Sequence, residues 1–144
     1  MILNPSLNLT FNGQCEEAFR FYERCLEGSI TFMLTWGAFP MAKDAPPEWS
    51  GKILHATLML NNLRLQGADA LPGSPEIHAG FCIMLGLTDA GQTERLFAAF
   101  AEGGSVNVPL EETFWALRFG QVVDRFGIPW GFNCEKPAQV APQG

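Results

Sequence analysis

Basic residues are scarce in this sequence: nine lysines and arginines stand against 15 aspartates and glutamates, a formal charge of −6, and nowhere do the cations cluster. A field of that sign repels phosphate backbones and anionic bilayers, which argues against nucleic acid and membrane surfaces as partners. Long apolar runs are missing too. The run from Ile53 to Leu60 is interrupted by His55 and falls far short of the roughly 20 residues of a membrane helix. The opening MILNPSLN has neither the basic start nor the hydrophobic stretch of a secretory signal. Among Cys15, Cys25, Cys82 and Cys134 there is no Cys-x-x-Cys spacing, so neither a zinc knuckle nor a dithiol redox site is written here. The four read as buried, reduced thiols of a cytoplasmic protein.

Apolar bulk is plentiful. Hydrophobic residues make up 47% of the 144 positions, with 12 Phe and four Trp, while charged residues reach only 17%. A chain of this size buries roughly two thirds of its unfolded surface in one core. The expectation is one domain over residues 1–136, followed by a small, proline-containing flexible tail over 137–144.

Along the chain the apolar period changes twice in the same order. LNLTF at 7–11 alternates as a strand does, and Asn12-Gly13 ends it. Cys15, Ala18, Phe19, Tyr22, Cys25 and Leu26 then form one helical stripe, with Glu16 and Glu17 in the first turn and Glu16 four residues before Arg20. Gly28 ends the helix and ITFML resumes as a strand. Residues 37–51 hold three prolines and no period; a structureless connection that long marks a lid or rim. KILHATLML and LRLQG follow, joined across Asn61-Asn62 as a hairpin.

After a linker over 68–76 the order repeats. HAGFCIMLGL reads as a strand, Asp89 and Gln92 as a capping box, and Thr93, Leu96, Phe97, Phe100 and Ala101 as the buried stripe of a second helix. Strands follow at SVNVPL, FWALRFGQVV and IPWGFN, the last two joined by a turn from Asp124 to Gly127. An offset of 75 lays CLEGSITF at 25–32 over FAEGGSVN at 100–107. Each helix has one apolar stripe and must bury it on a sheet. The fold class is therefore α+β: two βαβββ modules, about 3–70 and 77–134, whose curved mixed sheets enclose a cleft.

The strings FNGQCEEAFRFYERCLEG at 11–28, ILHATLMLNNLRLQGAD at 53–69 and AEGGSVNVPLEETFWALRFGQVVDRFGIPWGFN at 101–133 carry a resemblance to the PhnB-like branch of the glyoxalase/bleomycin-resistance superfamily, the vicinal oxygen chelate proteins. The resemblance implies the same two-module fold, a twofold homodimer, and, in metal-using relatives, four ligands near the starts and ends of the modules. This chain departs from that ligand pattern. The first position falls at Ser6 or Leu7, the second on Gln66, the third on His78 in HAGF, and the fourth on or beside Gly131. One good ligand holds a divalent ion such as Zn, Ni or Mn only weakly, so no cofactor is expected and His78 is the one metal candidate.

His55, near-neutral by type and set in a strand, is the candidate acid–base group. Trp36, Phe39, Trp49, Gln66, Trp115 and Trp130 are the candidate ligand-binding residues, with Trp49 placed at the rim because no core period requires it in its proline-rich loop. Glu111 and Glu112 are adjacent on an extended segment and point to opposite faces, so they form no carboxylate pair. Nothing matches a glycine-rich adenosylmethionine loop after a first strand. Three functions remain: a small-molecule-binding protein with an aromatic cleft and a degenerate metal site, a divalent-metal-dependent lyase, isomerase or dioxygenase, and a homodimeric interaction domain with a vestigial cleft.

Overall fold

Both helices begin where the sequence supplies a carboxylate for their free N–H groups. Asp89 caps α2 (Ala90–Ala101) through a 2.7 Å bond from the Gln92 N–H, and the Thr93 hydroxyl donates back to the Asp89 carbonyl. The helix α1 (Cys15–Leu26) has no cap from Gln14; instead Asp69, far along the chain, accepts from the N–H groups of Gly13 and Cys15. The computed structural model describes residues 4–38, 45–74 and 78–137, and the chain divides into two units, Met1–Glu76 and Ile77–Gly144.

The first unit is a four-stranded mixed sheet with α1 on one face. Its strands are β1 (Leu7–Phe11), β2 (Ser29–Thr35), β3 (Ile53–Leu60) and β4 (Leu63–Asp69), in the order β1-β4-β3-β2, with β1 parallel to β4 and the other pairs antiparallel. Asn61, at φ 50°, makes the two-residue turn between Leu60 and Leu63. Cys15, Ala18, Phe19 and Tyr22 are buried, as the stripe predicts. Cys25 and Leu26 are only half-buried, and Phe21 takes their place in the core by setting its ring edge-on to Tyr22. Phe11, Phe19 and Tyr22 are fully buried, each worth about 2 kcal/mol of burial. Gly67 lets the helix come this close, since a Cβ there would stand 2.6 Å from the Phe19 ring. Gly28 is not the left-handed residue of the helix end; Glu27 is, at φ 53°, and Gly28 instead lets the chain pass the Met59 carbonyl.

The ends of the connection between β2 and β3 are pinned. Trp36 N donates to the Lys52 carbonyl at 2.8 Å and Gly37 N to the Ser50 carbonyl at 2.9 Å, and residues Pro47–Trp49 form one 3-10 turn. Phe39 lies outside the described residues.

The second unit repeats the plan with β5 (Ile83–Leu87), β6 (Ser105–Glu111), β7 (Ala116–Val123) and β8 (Pro129–Glu135) in the order β5-β8-β7-β6, β5 parallel to β8. Phe100 sets its ring edge-on to Trp130 at 5.0 Å and to Phe132 at 5.7 Å, and Phe97 meets Phe132 at 5.5 Å. The strand expected over HAGFCIMLGL is shorter than its apolar content suggests. Gly80, at φ 81°, takes the chain out of extended geometry, so pairing begins only at Ile83 and His78 precedes the strand. No helix among the described residues is long and apolar enough to cross a membrane.

Candidate ligand site

Strand alternation gives each sheet one face under its helix and one turned away from it, here the open face. On the first sheet the register lines up Asn8, Gln66, Thr57 and Phe32, one residue from each strand, across the open face. His55 lies two residues from Thr57 on the same face and its ring meets Phe32 at 5.8 Å. Gln66 accepts a 3.4 Å hydrogen bond from the Ser6 hydroxyl. His55 and Gln66 thus share one half-buried, polar face as diagonal neighbours.

Trp36 and Trp49 are held at the end of that sheet. The Trp36 indole donates to the Asp69 carbonyl at 3.0 Å. Trp49 packs its ring edge over Gly13, with the Lys52 ammonium 5.9 Å from its ring. A polar cavity of about 340 Å³ opens here between Glu16, Glu17, Arg20, Gly51 and Lys52. Its inner wall is Asp69, whose two oxygens are taken by the N–H groups of Gly13, Cys15 and Ile53, while Lys52 donates to the Gly13 carbonyl. Burial, then Asp69 and Glu16, push the Cys15 thiol far above its ordinary value, which leaves it protonated and non-nucleophilic. The groups at this cavity serve the fold. Sequence reading did not single out Asp69, because a carboxylate at a strand end looks the same whether it faces water or three N–H donors.

The second sheet has a different open face. Met84 pairs with Gly131, which pairs in turn with Gln121, and Gly86 pairs with Asn133, which pairs in turn with Phe119. Above Gly86 there is open space: an added Cβ would meet nothing within 4 Å. A glycine inside a strand with room above it lets a ligand approach the backbone. Aromatic rings gather about Asn133, the residue paired with Gly86. The Trp115 indole donates to Asn133 Oδ1 at 3.2 Å, its ring meets Phe119 edge-on at 5.3 Å, and Phe114, 83% exposed, meets Trp115 at 4.8 Å. The side chain of half-buried Gln121 makes no hydrogen bond with another described residue.

Trp130 is a correction to the expected ligand-binding set. It is fully buried under α2 and spends its indole N–H on Asp124 Oδ2 at 2.9 Å, so it lines no surface. Of the residues that sequence reading placed at a ligand site, Trp115 alone stands on this second open face. Met84, Gly86, Gln121 and Asn133 were passed over. Gly86 was the available signal, a glycine within an otherwise apolar strand.

None of the four metal positions that the resemblance implies carries a carboxylate or a thiolate. Gln66 and Ser6 are neutral and bonded to each other, and His78 lies ahead of β5. At Gly131 a side chain would run into Met84, with Cε 2.6 Å and Sδ 2.7 Å from the Cβ position, and Cys82 Sγ 3.2 Å away. Among the described residues no three His, Cys, Asp or Glu side chains come together as ligands.

Comparison with known proteins gives a consistent picture. Residues 5–132 match the family model described as 3-demethylubiquinone-9 3-methyltransferase. Protein YjdN of Escherichia coli K12 is 30% identical, covering 94% of this chain and 97% of its own length. The crystal structure of protein PA1353 from Pseudomonas aeruginosa is 42% identical with a TM-score of 0.80, covering 93% of this chain and 98% of that one. The PhnB protein from Bacillus cereus shares the fold at 19% identity and a TM-score of 0.79, over 92% of this chain and 99% of its own.

Proposed function

The chain belongs to the PhnB-like family of the glyoxalase/bleomycin-resistance superfamily, and from that premise we propose that it binds a small organic molecule on the open face of its second sheet, without a divalent ion at the site. The observation that carries this reading is the gap over Gly86 beside an anchored aromatic corner, Trp115 on Asn133 and Phe119. Aromatic walls with a few fixed polar groups are the usual make-up of small-molecule sites. The methyltransferase in the family description is not the activity proposed: β1 is followed by Asn12-Gly13-Gln14 rather than a glycine-rich loop, and the N–H groups of Gly13 and Cys15 there are taken by Asp69.

A homodimer is the assembly proposed. Strand order leaves β1 and β2 as edges of the first sheet and β5 and β6 as edges of the second, and Phe32 on β2 and Val106 and Val108 on β6 are exposed. Edges and apolar side chains of this kind are covered in stable proteins. The binding test uses naphthalene, a bare aromatic probe, followed by tryptophan fluorescence. Saturable binding is expected, and it should be abolished by Gly86→Leu, which fills the gap. Equal binding by that variant would place the site elsewhere. Saturation by zinc, nickel or manganese at one ion per chain, lost in His78→Ala, would turn the reading to the metal-dependent chemistry of the superfamily.

A further inference from the structure

We infer that this site selects a neutral, planar heterocycle carrying a hydrogen-bond donor and acceptor side by side, a lactam edge, and that Gln121 is the residue that reads it. The inference rests on the proposed binding function and adds a ligand class to it.

Two primary amides border the aromatic corner. Asn133 accepts the Trp115 indole N–H at its Oδ1. Gln121, across from Gly131 and two residues from Phe119 on the same strand, keeps both its donor and its acceptor free of other described residues. Gln121 is half-buried, so solvent reaches both groups. A ligand lying on Phe119 and Trp115 would shield them from that solvent. A bare hydrocarbon keeps its apolar contact but leaves the amide unpaired, which weakens its binding relative to a ligand that pairs it. A ring with adjacent N–H and C=O groups restores both bonds at once, in the way an asparagine or glutamine reads the edge of adenine. Sites built around such a polar pair reject analogues that lack it far more strongly than apolar pockets reject a missing methylene.

Charge points the same way. Glu111 stands opposite Phe119 on β6 and opposes an anion, whereas Arg118, the nearest cation along β7, is committed to Glu94 at 2.9 Å. Met84, 47% exposed, adds a thioether that adapts to the shape of the ring.

Three probes that share a fused six-membered bicycle separate the possibilities: isoquinolin-1-one as the neutral lactam, naphthalene without a polar edge, and 1-naphthoate as an anion. Each is titrated into the full-length protein and into Gln121→Leu and Gln121→Glu, with circular dichroism confirming the fold of each variant. The lactam is expected to bind the native protein at least tenfold tighter than naphthalene. Gln121→Leu should bring the two within about threefold while naphthalene binding persists, and Gln121→Glu should weaken the lactam without affecting folding. Equal binding of lactam and naphthalene, a preference for naphthoate, or a lactam preference that survives Gln121→Leu would overturn the inference and leave small-molecule binding standing. Failure of all three probes would overturn both.

Discussion

The indole N–H of Trp115 reaches from the start of β7 to Oδ1 of Asn133 on β8, 3.2 Å away, and so fixes a ring that would otherwise swing in solvent. Because the bond lies at the surface, it adds little to stability; its effect is to hold the ring against Phe119. Replacing Asn133 by Ala should therefore leave the unfolding free energy within about 1 kcal/mol of the native value. Naphthalene affinity should fall about tenfold as the ring loses its position. Urea unfolding and fluorescence titration on the same variant check both halves, and a large loss of stability with unchanged affinity would reverse the assignment.

Gly67 and Gly86 should respond in opposite ways to alanine. At Gly67 the new methyl would sit 2.6 Å from the Phe19 ring and 3.1 Å from the Cys15 sulfur, in a core that has no room to move. A cost of about 1–3 kcal/mol is expected from overpacking. At Gly86 the methyl meets open space, so stability should hold or rise slightly while the ligand loses its closest approach. Thermal melts of the two variants, with binding measured on Gly86→Ala, separate them.

Asp124 is a structural carboxylate. Its Oδ1 accepts from the N–H groups of Phe126 and Ile128 and its Oδ2 from the Trp130 indole, all within 2.9 Å and all buried. Asp124→Ala strands three buried donors and should cost about 3 kcal/mol or more. Asp124→Asn keeps the oxygen facing the turn and should cost about 1 kcal/mol. Equal urea midpoints for the two variants would show that the turn does not depend on these bonds.

The Cys15 thiol sets a limit at alkaline pH. Its ordinary value is 9.0, and burial, with Asp69 and Glu16, raises it in the folded chain. Above pH 9 the unfolded chain releases this proton while the folded chain keeps it, so the unfolded state binds fewer protons and stability falls as pH rises. This contribution is intact below pH 9 and is lost at up to about 1.4 kcal/mol per pH unit above it. Cys15→Ser should flatten that slope in unfolding curves taken between pH 8 and 10.5. Native alkylation at pH 8 should label half-buried Cys25 and Cys82 before Cys15 and Cys134.

Much of the fold was legible because each helix carries a single apolar stripe and each turn its own residues. The Cys15–Tyr22 stripe, the Asp89 cap, the Asn61-Asn62 hairpin and the Asp124 turn all stand where the sequence places them. Harder to read was which face of a strand meets the helix. Trp130 and Trp115 look alike in sequence, but register turns Trp130 under α2, whereas Trp115, just ahead of β7, reaches the open face. His78 belongs to an apolar string that should pair, yet the positive φ of Gly80 shortens the strand behind it. The open space proposed as the ligand site was hidden because Gly86 marks it by having no side chain.

The decisive experiment is a heteronuclear NMR titration of the ¹⁵N-labelled full-length protein with naphthalene in buffer containing a chelator. Binding on the second sheet predicts shifts concentrated at the Gly86 amide, the Trp115 indole N–H and the side-chain amides of Gln121 and Asn133, unchanged when zinc replaces the chelator. Shifts centred instead on Gly13, Arg20 and Lys52, or shifts that arise only with the metal present, would contradict the proposed site and its metal-free chemistry.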